Sequence, residues 1–141
     1  TPNLFGLVQG EANAIQPGKR PLSSMTPTIV LKDGKPFLLV GAPGGSRIIT
    51  AVMQVILNII DFKMNPQDAV DFPRIHHQWL PDRLEFETGV SPDTLALLAA
   101  KGHRIEISRP VVLARVEAIL IDSGWIQGGT DGRSQGKAAG F

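Results

Sequence analysis

The chain has 141 residues, with 14 basic against 13 acidic side chains and a net charge of +1. That is enough chain for a single domain, 1–141, burying roughly two thirds of its extended surface. The basic residues are scattered rather than striped, which argues against nucleic acid as a partner. The absence of cysteine removes disulfides, thiolate metal sites and a cysteine nucleophile together. Gln54, Asn58 and Asp61 interrupt the most apolar stretch, well short of the roughly 20 residues a membrane-crossing helix needs.

From Thr1 to Lys19 the Pro, Gly and Asn content and weak periodicity predict a long irregular arm. Such an arm is uncommon in an intact small domain and suggests a cut edge. Thr1 to Gly10 has neither the basic start nor the apolar block of a signal peptide. Thr28 to Leu31 and Phe37 to Val40 read as two strands joined at Lys32-Asp33-Gly34-Lys35, where Asp-Gly suits a tight hairpin turn. Both strands are apolar on both faces, so the sheet is expected to be covered on each side. Ser46 to Phe62 has the i, i+3, i+4, i+7 apolar spacing of a strongly buried helix, with Ser46 as N-cap.

Asn65-Pro66 starts a second helix that runs to about Phe72, and Ser91-Pro92 starts a third that covers Thr94 to Lys101 and ends at Gly102. Leu84 to Glu87, Arg104 to Ser108, Val116 to Asp122 and Trp125 to Gln127 complete the strands, the last two joined around Ser123-Gly124. Pro73, Trp79 and Pro81 predict a packed, ordered loop.

Two segments carry chemistry. In Arg20-Pro21-Leu22-Ser23-Ser24-Met25-Thr26-Pro27-Thr28, the prolines brace a loop and hold two adjacent hydroxyls, for recognition or simply to satisfy nearby backbone groups. Gly41-Ala42-Pro43-Gly44-Gly45-Ser46-Arg47 leads from a strand into a helix start, where unpaired N–H groups and the positive dipole end gather. It lacks the Lys-Ser/Thr ending of a phosphate loop. A structural turn and an anion or oxyanion site both fit it. His76 and His77 are adjacent in an extended segment and point to opposite sides, so a shared metal ion is disfavoured and a structural role preferred. His103 reads as a solvated cation at a helix end. No carboxylate pair has acid-and-base spacing, and no serine sits in a Gly-x-Ser-x-Gly elbow.

Those two segments, with Pro73-Arg74-Ile75-His76-His77-Gln78-Trp79-Leu80-Pro81-Asp82 and Gly136-Lys137-Ala138-Ala139-Gly140-Phe141, resemble the small-subunit half of the γ-glutamyltranspeptidases. The resemblance spans nearly the whole chain, with four blocks in family order. It implies an α+β fold, part of the αββα sandwich of the N-terminal-nucleophile hydrolases, completed by a large subunit cut from the same precursor. It also implies transfer of a γ-glutamyl group from glutathione or its conjugates to water or an amino acid through a threonine acyl-enzyme. No cofactor and no metal is called for, and a periplasmic or extracellular location is expected. Carried over by position, Ser23 and Ser24 match the serines that hold the glutamyl α-carboxylate, and Gly44 and Gly45 match the oxyanion-hole glycines.

Departures from the family pattern shape further expectations. The threonine nucleophile block and the segment that grips the substrate amine have no match here, and Thr1, followed by Pro2, is not that nucleophile. The chain alone is therefore expected to be inert. Asp131-Gly132-Arg133 stands where the family has Asp-Pro-Arg, which predicts a looser turn. Pro110 to Glu117 lacks the expected Gly, Ser and Gln residues, consistent with altered substrate preference. Relatives that hydrolyse glutaryl-cephalosporins or process poly-γ-glutamate, or an inactive γ-glutamyl-binding scaffold, are the alternatives.

Overall fold

The Asp-Gly turn between the first two apolar runs seeds the larger sheet. In the computed structural model, which describes residues 3, 5–107 and 112–140, β1 (Thr28–Lys32) and β2 (Lys35–Gly41) pair antiparallel. Asp33 and Gly34 between them have φ of 52° and 75°, the left-handed pair that a two-residue type I′ turn requires. β6 (Glu117–Asp122) adds to the far side of β2 and returns through Ser123 and Gly124 into β7 (Trp125–Thr130). The resulting order is β1-β2-β6-β7, antiparallel throughout.

Helices α1 (Ile48–Ile60) and α2 (Pro66–Asp71) cover one face of this sheet. Leu38 and Val40 of β2 and Ala118 and Leu120 of β6 pack against Ala51, Val52, Val55 and Ile59 of α1 and Ala69 and Val70 of α2. Each fully buried Val, Leu or Ile stabilises by about 1.5–3 kcal/mol. The expected strong burial of α1 holds on this stripe only, since Ile49, Met53 and Leu57 on its other side are exposed. Asn58, within the stripe, donates its side-chain amide to Ala69 O at 3.3 Å and ties the two helices together. Asn65 caps α2 as expected, its Oδ1 accepting from the Asp68 N–H at 2.9 Å.

Among the described residues the sheet's other face is largely open over β1 and β2, so the expected cover on that side is not supplied by them. Ile29, Leu39 and Ile119 lie in register across β1, β2 and β6 on that face. Ile29, Ile119 and Ile126 are 62%, 43% and 75% exposed. The C-terminal segment lies close over β7, with Ala138 against Gly128, and reaches the start of β6, where Ser134 Oγ donates to Glu117 Oε1 at 3.3 Å.

A smaller sheet joins β3 (Ile75–His76), β4 (Leu84–Phe86) and β5 (Ile105–Ile107), with β3 antiparallel and β5 parallel to β4. β3 escapes sequence reading because two residues show no alternation. α3 (Pro92–Ala100) precedes β5 and ends before Gly102 at φ 94°. Ser91 makes no capping bond there. The arm holds one 3₁₀ turn, Glu11–Asn13. Trp79, expected to pack, is 71% exposed. Thr1, Pro2 and Leu4, Ser108 with which the predicted strand ended, Arg109, Pro110 and Val111 of the segment before the predicted last hairpin, and Phe141 lie outside the described residues.

Candidate active site

Two glycines connect β2 to α1 by a path closed to other residues. Gly44 and Gly45 have φ of 152° and 61°, positive values that L side chains rarely adopt. A Cβ on Gly44 would lie 2.6 Å from the Ala114 Cβ, and one on Gly45 would lie 2.7 Å from the Phe5 ring. Gly44 O accepts from the Arg47 N–H at 3.3 Å, and Gly45 O from the Ile48 N–H. Among the described residues neither glycine N–H has an acceptor. These free donors stand at the positive end of α1. The predicted cap is corrected: Ser46 is buried in a 3₁₀ turn, Gly45–Arg47, and its hydroxyl donates to Gln78 Oε1 at 2.7 Å.

Gly45 and Ile48 form one wall of a cavity of about 740 Å³ whose other walls are the arm and the braced loop, including Ser23 and Ser24. Ser23, Ser24 and Gly45 thus line one space. Gly44 lies behind that wall, against Ala114. Lys19 and Arg20 also line the cavity, and none of its described lining residues is acidic, so the space favours an anion. Ser23 Oγ accepts from the Met25 N–H at 3.2 Å. That bond satisfies the local backbone, as the duller reading expects, and orients the hydroxyl with its proton still available.

Beneath the loop lies a polar support that no local motif announces. The Arg47 guanidinium binds Glu85 Oε2 through Nε at 3.0 Å and Nη2 at 2.7 Å. Arg83 binds Glu85 Oε1. Burial would push the Glu85 carboxyl up, but these two guanidiniums outweigh it and hold the pKa below the ordinary value. Deeper in, Arg74 Nη2 donates to Asp131 Oδ2 at 2.7 Å with both side chains almost wholly buried. Arg133 bridges Asp131 and Glu87 at 3.0 and 2.6 Å.

Burial disfavours the charged form of Asp131 as well, yet the Val116 and Arg133 backbone N–H groups and the two guanidiniums prevail, so its pKa is also lowered. The cluster reaches the glycines through Ala114, whose carbonyl accepts from Arg74 Nη1 at 3.1 Å and whose side chain abuts Gly44. Ala114 itself sits at φ 80°, a sparsely populated conformation for alanine that the surrounding bonds impose.

The predicted looseness at Gly132 is not observed. Its N–H donates to Asp71 Oδ1 at 2.9 Å, a bond that proline could not make. His76 and His77 do point apart. His76 is buried against Thr50 and Gln78, whereas the exposed His77 meets Asp82 at 3.2 Å. Arg74, Glu87, Ala114 and Gln78 are the site-supporting residues that sequence reading did not single out. Arg74 and Gln78 fall inside the Pro73–Asp82 block, but their partners Asp131, Ala114, Ser46 and Phe5 lie tens of residues away, so no local spacing marks their roles.

Comparison with known proteins follows the same lines. The family profile for gamma-glutamyltranspeptidase matches residues 1–141. The chain is 52% identical over 134 residues to the glutathione hydrolase proenzyme of Escherichia coli strain K12, covering 94% of this chain and 23% of that protein. A Helicobacter pylori γ-glutamyltranspeptidase variant superposes with a TM-score of 0.88 at 52% identity, over 95% of this chain and 74% of that one. The Pseudomonas nitroreducens γ-glutamyltranspeptidase complexed with L-DON gives 0.91 at 37% identity, over 100% and 74%. The likeness to a cephalosporin acylase of Bacillus halodurans is lower, with a TM-score of 0.80 at 31% identity over 89% of this chain and 24% of that one. This ordering does not favour the acylase alternative. The chain spans about a quarter of the length of the curated relatives it matches. The fold is α+β as expected, and the chain belongs to the γ-glutamyltranspeptidase family.

Proposed function

We propose that the chain is the C-terminal portion of the small subunit of an enzyme that cleaves γ-glutamyl amides such as glutathione and passes the γ-glutamyl group to water or an amino acid. The observation that carries this reading is the shared cavity. Gly45, whose N–H has no acceptor among the described residues, lines one space with Ser23 and Ser24, beside Lys19 and Arg20 and with no acidic residue among the described lining.

In the proposed reaction the substrate's α-carboxylate rests on Ser23 and Ser24, placing the γ-carbonyl beside the glycines. A threonine hydroxyl, supplied from outside residues 1–141, attacks that carbon. The Gly45 N–H, on the residue that lines the cavity, receives the oxyanion, where one such donor supplies about 2.7–4 kcal/mol of barrier lowering; Gly44, given the same role by the resemblance, is set back from the lining and shapes the turn that presents Gly45. Collapse expels the amine and leaves the γ-glutamyl ester, and water or an amino acid then takes the acyl group. The open apolar sheet face is the docking surface for the rest of the precursor, including the large subunit. A periplasmic or extracellular site of action rests on the family resemblance. Among the described residues no helix is long and apolar enough to cross a membrane.

The test uses the complete precursor, matured by self-cleavage and assayed with a chromogenic γ-glutamyl anilide. Release of the aniline is expected, together with a threonine at the new subunit start. A folded, cleaved protein that binds glutamate without turnover would replace this reading with the inactive-scaffold one.

A further inference from the structure

One side-chain amide joins the segments on either side of Gly45. Gln78 Oε1 accepts from Ser46 Oγ at 2.7 Å and meets His76 Nε2 at 3.0 Å, while its Nε2 donates to Phe5 O at 3.2 Å and Leu80 O at 3.0 Å. All four bonding positions of the amide are thus in use. The two carbonyls fix its orientation, because exchanging its oxygen and nitrogen would set an oxygen against both.

That orientation fixes the proton on His76. Nε2 must donate to Gln78, so in the neutral ring Nδ1 is bare and can only accept; the one proton of Thr50 Oγ1 goes to it at 2.8 Å in preference to the longer contact with Arg47 O at 3.2 Å. Burial holds the His76 pKa below its ordinary value. The Gln78 bond and Glu85 of β4 oppose this, and Arg47 and His77 add to it. A directed chain therefore runs from Thr50 on α1 through His76 and Gln78 and meets Ser46, the residue after Gly45. On the opposite side the Phe5 carbonyl is tied to the same amide while the Phe5 ring covers Gly45.

We propose that Gln78 is a positioning residue for the oxyanion loop, holding Ser46 and Phe5 on the two sides of Gly45 so that its N–H faces the cavity. This rests on the reading of the glycines given under the proposed function. Gln78 does not line the cavity, so it acts through the loop rather than on substrate. Its loss therefore belongs in the chemical step and not in substrate binding.

The test compares the matured wild-type enzyme with Gln78→Met, which keeps the side chain's length and deletes its hydrogen bonds. A fall in kcat of tenfold or more is expected, with KM for the γ-glutamyl donor within twofold. Hydrogen exchange across residues 44–50 is expected to quicken at least fivefold, a readout that needs no turnover. An unchanged kcat with unchanged exchange overturns the proposal, as does a loss confined to KM. If the Gln78→Met precursor does not self-cleave, Ser46→Ala decides: it severs one link only, a three- to tenfold fall in kcat is expected, and kcat within twofold of wild type overturns the proposal. A wild-type enzyme without γ-glutamyl turnover refutes the proposed function, and the exchange measurement then decides the positioning role alone.

Discussion

Gly45 shows how little room the loop leaves. Its φ of 61° and the Phe5 ring 2.7 Å from a would-be Cβ predict that Gly45→Val in the complete enzyme lowers turnover at least 10²-fold, the scale of a lost oxyanion donor. Stability should fall by only about 1–3 kcal/mol of backbone strain, since Phe5 sits on an exposed arm and is able to move. Paired kinetic and denaturant measurements check this, and full activity in the variant would exclude the oxyanion role. Ser23 and Ser24 act at a different step. In the proposed reaction each donates a bond to the substrate's charged carboxylate, worth about 1.5–3 kcal/mol, so Ser23→Ala and Ser24→Ala are each expected to raise KM by roughly ten- to a hundredfold. Competition by free glutamate should weaken in parallel.

Among the elements, the contact between β4, the segment around Ala114 and the turn after β7 rests on charge buried almost completely. Asp131→Ala leaves Arg74 and part of Arg133 unpaired in the interior, and breaking such a pair costs about 3–5 kcal/mol. Denaturant midpoints of the complete protein measure it, and a change below 1 kcal/mol would mean that water enters the cluster. The same groups set the acid response. Asp131 and Glu85 have lowered pKa values in the fold, so their stabilisation is full above the ordinary carboxylate range near pH 4 and is lost as pH falls through the folded values.

His76 has the opposite chemistry. Its pKa is also lowered, but here the folded state favours the neutral base. Stability therefore declines as pH drops below about 6.5 toward the folded value. Stability measured against pH should show both declines, and His76→Gln should remove the upper one alone.

At the scale of the molecule, one α layer on one β layer leaves half a sandwich. Ile29, Leu39 and Ile119 form an apolar row on the open face, which suits a second sheet from the rest of the proposed precursor. Ile119→Asp is expected to reduce recovery of the matured two-subunit complex to under a tenth of wild type, because it would bury a carboxylate without a partner. Co-purification of the two subunits checks this. Undiminished recovery would show that the face stays in water.

Local chemistry made the hairpin at Asp33-Gly34, the Asn65-Pro66 helix start and the 3.6-residue stripe of α1 legible from the amino-acid sequence, because each depends on neighbours within a turn or two. Four ordered blocks likewise pointed to the family and to Ser23, Ser24, Gly44 and Gly45. Only the tertiary structure decided that Ser46 serves Gln78 rather than a helix end, and that Arg74, Glu87 and Asp131 meet in the interior. It also decided that Gly132 anchors its turn and that, among the described residues, one sheet face stays largely bare. Those outcomes come from contacts between residues tens of positions apart, which are set by how layers stack and which groups lose their water, and no local spacing encodes either.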